Sequence, residues 1–176
     1  MLFKFGELCM AKSLKIKVRS YREEDREEAS RIAYRAFNNI LDAKWATWGL
    51  SGCEKVLVAE VDEKVVGVVE LESFWFKDKL HGYIYYIFVD PIWQRQGIGS
   101  ALVREAEFYF KERGAKYLWA TTGKSNFKVR KFFEKNNYKN VEPRELRKRY
   151  SRREFKYLLW HLYYWSEDVI YLKKLE

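Results

Sequence analysis

The chain has 176 residues, 48% of them hydrophobic and 18% aromatic, with 34 basic against 25 acidic side chains and a net charge of +9. That length supports one domain with a real core, while two prolines and nine glycines exclude a collagen-like or low-complexity chain. The apolar fraction argues against disorder, no run of about 18 apolar residues suggests a membrane span, and two cysteines with two histidines make neither a disulfide framework nor a metal-ligand set.

A reducing, cytoplasmic setting follows from that cysteine usage. Residues 1–13 read as an N-terminal extension with the cluster Leu2, Phe3 and Phe5, lacking the cleavage site of a signal peptide. Both Met1 and Met10 fit as starts. The remainder, 14–176, reads as one domain. Leu14, Ile16 and Val18 alternate with Lys15, Lys17 and Arg19, the pattern of a strand with one buried face. From Glu23 to Leu41 the period changes. Ala29, Ile32, Ala33, Ala36, Phe37 and Ile40 fall on one helical stripe, and Glu23, Glu24 and Asp25 suit the positive end of the helix dipole.

Residues 42–52, with Trp45, Trp48 and Gly52, read as a short helix or a loop. Lys55–Val61 and Val65–Phe74, joined by Asp62-Glu63-Lys64, predict an antiparallel hairpin. Gly82–Val89 reads as a central strand that Asp90-Pro91 ends; His81, at its start, reads as a loop residue. Gly97–Arg113 predicts a helix with Ile98, Ala101, Leu102, Ala106 and Tyr109 inward and Gly114 at its C-terminal cap. A strand follows at Tyr117–Thr121. Asn126–Lys135 reads as a helix with Val129, Phe132 and Phe133 inward. A strand at Tyr138–Val141, a long basic and aromatic helical segment at Arg144–Trp165 and a closing strand at Val169–Leu175 complete the order. Helices alternating with strands and hairpins predict an α/β fold of three layers around a mixed sheet.

The charge is uneven. Between Arg144 and Lys156 seven basic and two acidic residues leave +5. Such a patch suits nucleic acid, an anionic phosphate ligand or an acidic protein. Phe155, Leu158, Leu159, Leu162 and Trp165 share a stripe if the segment is helical. It then reads as a helix packed on the sheet, or as a cap over a groove, a homodimer face or a partner surface. Tyr150, Tyr157, Tyr163 and Tyr164 suit a peptide backbone and stacked bases equally.

The sharpest signal is the run from Val89 to Ser100, Val-Asp-Pro-Ile-Trp-Gln-Arg-Gln-Gly-Ile-Gly-Ser, between a strand and an amphipathic helix. Gly97 and Gly99 let the backbone approach a ligand without a Cβ in the way. The following helix N-terminus offers unpaired N–H groups and a positive dipole end. Gln94, Arg95 and Gln96 add donors nearby. This reads as a pyrophosphate cradle, or as an ordinary strand–turn–helix connection with incidental glycines.

This run and the later stretch from Asn126 to Tyr138 resemble the two cofactor motifs of the GNAT superfamily of acetyl-CoA-dependent N-acetyltransferases. The resemblance implies a three-layer fold with a mixed, mostly antiparallel sheet and an insertion at 144–165. It implies transfer of the acetyl group of acetyl-CoA to an amine of a protein, peptide or small molecule, without a metal. Gln94, Arg95, Gln96, Gly97, Ile98, Gly99 and Ser100 would hold the pyrophosphate. Ile87 and Val89 would bind the pantetheine arm through their main chain where the sheet splays. Asn126 would touch the cofactor, or serve only as a helix cap; Arg130 would reach a phosphate.

Two departures stand out. Phe133 occupies the place of the tyrosine that protonates the leaving thiolate, and Tyr83 that of a glutamate base. A phenol with pKa of about 10 is a poor base near neutrality. Glu70 and Glu72 share one face of their strand and are the substitute bases, unless that face is merely solvated. Tyr85 or Tyr86 would replace the thiolate donor. Two alternatives to catalysis remain: a module that binds acyl-CoA without turnover, and an RNA- or ribosome-associated protein using the basic segment.

Overall fold

The computed structural model describes residues 14–175, so the predicted extension at 1–13 lies outside the described residues. The strands are β1 (Lys17–Ser20), β2 (Lys55–Val61), β3 (Lys64–Phe76), β4 (Lys79–Val89), β5 (Tyr117–Gly123), β6 (Lys139–Val141) and β7 (Asp168–Lys174). They form one open sheet in the order β1-β2-β3-β4-β5-β7-β6. Only the β4–β5 pair is parallel; every other neighbouring pair is antiparallel. The helices are α1 (Arg26–Ala36), α2 (Ile40–Gly52), α3 (Ile98–Glu112), α4 (Phe127–Lys135), α5 (Pro143–Arg149) and α6 (Arg152–His161). The mixed, mostly antiparallel α/β fold is therefore the one the sequence predicts.

The layers follow from strand alternation. On one face Leu57, Leu71, Ile84 and Leu118 pack against Leu102 and Phe110 of α3 and Phe133 of α4. On the other, Val58 and Val68 meet Ile32 of α1 and Ala46 of α2. Farther along that second face, Phe74, Trp119 and Ile170 meet Leu146 of α5 and Leu158 of α6. One contact there is tight. Gly82 of β4 lies under Phe110, and a Cβ at position 82 would sit 2.6 Å from the ring. The ring is fully buried and has nowhere to go. Gly82→Ala should therefore lower the unfolding free energy by about 1–3 kcal/mol in urea titrations.

Several predicted elements differ in ways the local chemistry explains. The stripe from Ala29 breaks at Phe37, whose backbone is extended, and Asn39 then caps α2 by accepting from the Leu41 N–H at 2.9 Å. Ile40 thus belongs to the next helix and is exposed. Residues 42–52 are helix throughout. The inward face of α3 runs through Val103 and Phe110, with Ala101 and Tyr109 only half-buried. The long segment at 144–165 is two helices. Ser151 and Glu154 form a capping box that starts α6 afresh. Beyond His161 the chain turns at Tyr163, φ 47°, which takes Trp165 off the stripe and leaves it exposed.

His81 is a strand residue, not a loop residue. It is buried, and its Nδ1 accepts from Trp119 Nε1 at 2.8 Å. A second hairpin joins β3 to β4 through Lys77 and Asp78, both at positive φ. Neither residue is a glycine, so the turn left no signal in the sequence.

Candidate active site

β4 and β5 are hydrogen-bonded only from His81–Ile84 to Tyr117–Ala120. Beyond Ile84 they part, and a cleft of about 570 Å³ opens between them, walled by Ile87, Thr121, Asn126, Val129 and Phe133. The Asp90 N–H donates to Val66 O at 2.9 Å, toward β3. Strand alternation turns the N–H groups of Val89 and Ile87 the other way, to the opened side. The splay and the free edge expected at Ile87 and Val89 are thus both present.

The turn that follows is held from below. The buried Asp90 carboxylate accepts from the Ile92 N–H at 3.1 Å and from Arg35 Nη1 at 2.9 Å. Gly97, φ 87°, is the N-cap of α3, and the first bond of the helix runs from the Ala101 N–H to Gly97 O. The N–H groups of Ile98, Gly99 and Ser100 are left over, as at any helix start. The groups that could hold a pyrophosphate here are therefore main-chain donors.

The side chains do other work. Ile98 is buried in the core. The Gln94 and Gln96 amides donate to Val89 O at 3.0 Å and Ile92 O at 3.3 Å, so they staple the turn instead of standing free. A Cβ on Gly99 would come within 3.0 Å of the Phe132 ring, and Gly97 has a left-handed backbone that suits glycine. Arg95 is exposed beside it, at φ 65°. Asn126 is the α4 cap, accepting from the Val129 N–H at 3.3 Å on the cleft wall. Arg130 donates to Lys124 O at 3.2 Å and stacks on Phe127, which ties it to its own loop. Phe133 is buried in the wall, stacked on Tyr171.

A second cavity of about 230 Å³ shares Trp45, Tyr85 and Tyr163 with the first and is closed by Trp48, Cys53 and Glu72. Two irregularities create it. The β3–β4 register steps from Glu70↔Tyr86 to Leu71↔Ile84, leaving Tyr85 as the extra residue of a bulge. Tyr85 and Tyr86 consequently face the same side, their rings edge to face at 5.0 Å. The other irregularity is bare backbone on α2, at Gly49 and Gly52.

Glu70 and Glu72 share a face of β3, as alternation predicts, but α2 covers that face and it is not solvated. Glu70 is 0% exposed, with no partner for either oxygen among the described residues. A Cβ on Gly49 would stand 2.1 Å from its Oε2. Burial, reinforced by the charge of Glu72, pushes the Glu70 pKa up to about 9. That direction keeps the Glu70 proton on at pH 7 and leaves Glu72 the better placed of the two to accept one. Glu72 is half-buried, and burial raises its pKa too, against a hydrogen bond from Cys53 that lowers it. Burial raises the Cys53 thiol as well, so it stays protonated and unreactive.

Among the tyrosines, Tyr85 faces both cavities and burial pushes its pKa up to about 12. Tyr86 is engaged with Asp42. Tyr83 is buried with its hydroxyl 2.7 Å from Thr121 Oγ1, a wall and not a base. Tyr163, from the turn after α6, leans on Tyr83 and Tyr85 at 5.7 and 4.9 Å. The insertion thus packs on the sheet and also walls the groove. Its seven cations, from Arg144 to Lys156, are exposed and make no ion pair among the described residues. Sequence reasoning missed Trp48 and Cys53 as walls; of the four tyrosines it offered for a groove, Tyr163 lines the cavities. The available signal was two tryptophans and two glycines on one short helix.

Among the described residues no group of three or more His, Cys, Asp or Glu could hold a metal ion, and no helix is long and apolar enough to cross a membrane.

A sheet that parts between two parallel strands, with free N–H groups at the helix start just past one of them, has room and donors that could hold an extended, phosphate-bearing ligand. A model of the Acetyltransferase (GNAT) family matches residues 17–138, and the chain belongs to that family. An uncharacterized N-acetyltransferase of Archaeoglobus fulgidus is 33% identical over 90 residues, 49% of this chain and 61% of the relative's length. An acetyltransferase of the GNAT family from Staphylococcus aureus superposes with a TM-score of 0.70 at 13% identity, covering 92% of this chain and 100% of the other. The PaiA N-acetyltransferase of Thermoplasma acidophilum, in complex with coenzyme A, gives 0.65 at 19% identity, covering 92% and 99%. At these identities the two structures speak for the fold alone.

Proposed function

We propose that the chain transfers the acetyl group of acetyl-coenzyme A directly to an amine. The observation that carries this reading is the parting of β4 from β5 immediately ahead of the free N–H groups at Ile98–Ser100. The N–H groups of Ile87 and Val89 hold the pantetheine arm as an added strand would be held. The N–H groups of Ile98, Gly99 and Ser100 take the pyrophosphate. Phe133 and Asn126 wall the arm. The bound thioester supplies an activated acetyl group.

The protein supplies the proton traffic and the alignment. The Val89 N–H polarises the carbonyl oxygen. Glu72 accepts the proton of the acceptor nitrogen, and the Tyr85 hydroxyl donates one to the leaving sulfur. Both groups face the same cavity wall, so the place of Phe133 and Tyr83 in the motif does not leave the site without an acid and a base. That favours turnover over mere acyl-CoA binding.

Calorimetry with coenzyme A should show saturable binding, and acetyl-CoA with an amine panel should release free thiol. No coenzyme A binding would overturn the proposal. Ser100→Glu is a sharper test. A carboxylate at a helix start favours the helix but repels a pyrophosphate, so coenzyme A affinity should fall by at least about tenfold with the fold intact.

A further inference from the structure

We infer that the acceptor is a slender aliphatic amine carrying a second positive charge, a diamine or polyamine, received in the cavity between Trp48 and Tyr163. This rests on the acetyl-transfer reading and names its substrate class. The first observation is a segregation of charge. The chain has 34 basic residues and a net charge of +9. Yet the walls of the two joined cavities carry three carboxylates, Asp42, Glu72 and Asp168, and no lysine or arginine. A carboxylate or phosphate on the acceptor would meet Glu72 with no cation to offset it.

The second observation is aromatic. Trp45 and Trp48 are 47% and 69% exposed at the cavity, their rings 5.2 Å apart. Indoles left this open do little for the core. Their faces attract ammonium groups and accept methylene chains without fixed hydrogen-bond geometry. The reacting nitrogen cannot be the cation they hold, because it gives up its proton to Glu72 and must be neutral to attack. The indoles gain attraction only if the acceptor keeps another charge. The cavity holds only about 230 Å³, with open space beside Gly52 on its helix side, so a thin unbranched chain has room to pass.

The test is direct binding, without cofactor, by calorimetry and tryptophan fluorescence. The probes are diaminobutane, butylamine and gamma-aminobutanoate, which share a chain and differ in the second charge. Diaminobutane should bind saturably. Butylamine should bind about tenfold more weakly, and gamma-aminobutanoate not measurably. Trp48→Ala, at an exposed position, should weaken diaminobutane by about five- to tenfold, and Trp48→Phe should restore most of that loss. Equal binding of the three probes, no saturable binding of any, or an unchanged affinity in Trp48→Ala overturns the inference. Diamine binding in a protein that ignores coenzyme A would sink the transferase reading instead and leave this site standing.

Discussion

Between pH 6.5 and 9 the protein is expected to lose about 3 kcal/mol of stability, and Glu70→Gln to remove most of that loss. The Glu70 carboxyl is raised from 4.5 to about 9 in the fold. Across that window the folded protein keeps a proton that the unfolded chain releases. Stability is therefore full below pH 4.5 and falls as the pH rises, at about 1.4 kcal/mol per unit. His81 works the other way. Burial lowers its pKa from 6.5 to about 4, so the unfolded chain binds the extra proton and stability rises with pH over that range. Between about 4.5 and 6.5 the two slopes oppose and the profile should be flat.

Above 6.5 the carboxyl slope dominates, and Cys53, kept protonated by burial, adds a loss of the same sign as the pH nears 9. Glu72 and Asp168, raised by burial, act with the same sign as Glu70; Asp25, lowered by Arg19, acts below the window. The amide of Glu70→Gln fills the same volume and never ionises. Its profile should climb through the histidine range and then fall only slightly, through Glu72, Asp168 and Cys53. Urea midpoints at half-unit steps of pH read this directly. Parallel curves for the two proteins would mean that Glu70 is already ionised in the fold.

Such a costly group in a core position fits a functional site better than a structural one. A hydrophobic residue at 70 would pack under Gly49 without an unsatisfied oxygen. The chain instead keeps a neutral acid beside Glu72, whose own pKa burial raises.

The parts of this arrangement that sequence reveals are those with a period or a spacing. The β2–β3 hairpin, α3, α4 and the turn from Asp90 to Gly97 all carry one, and each is found where it is expected. The same spacing does not reveal the packing inside the turn. Gly99 answers to Phe132, and Gln94 to Val89, neither of them a sequence neighbour. The acceptor side was nearly silent, because it depends on a bulge at Tyr85, a left-handed Tyr163 and the bare side of α2. Each is set by long-range packing. Alternation correctly paired Glu70 with Glu72, yet only the position of α2 decides which of them is neutral.

Glu72→Gln is expected to lower kcat/KM by about a hundred- to a thousandfold near pH 7, the usual worth of a positioned base. The fold should survive, since the side chain is half-buried and the amide keeps its shape. In the parent, the rate should rise with pH through a value above 4.5 as the carboxyl loses its proton. In the variant that limb should vanish, leaving the rate to follow ionisation of the acceptor amine. Tyr85→Phe should slow turnover while preserving the rising limb, because it removes the donor and not the base. The comparison with Glu70→Gln decides between the carboxyls. Glu70 is proton-loaded at pH 7, so its amide should cost much less than that of Glu72. Equal losses would instead mark the two as one coupled acceptor sharing a proton, and a loss confined to Glu70→Gln would move the base beneath α2, out of reach of any amine in the cavity except through its neighbour.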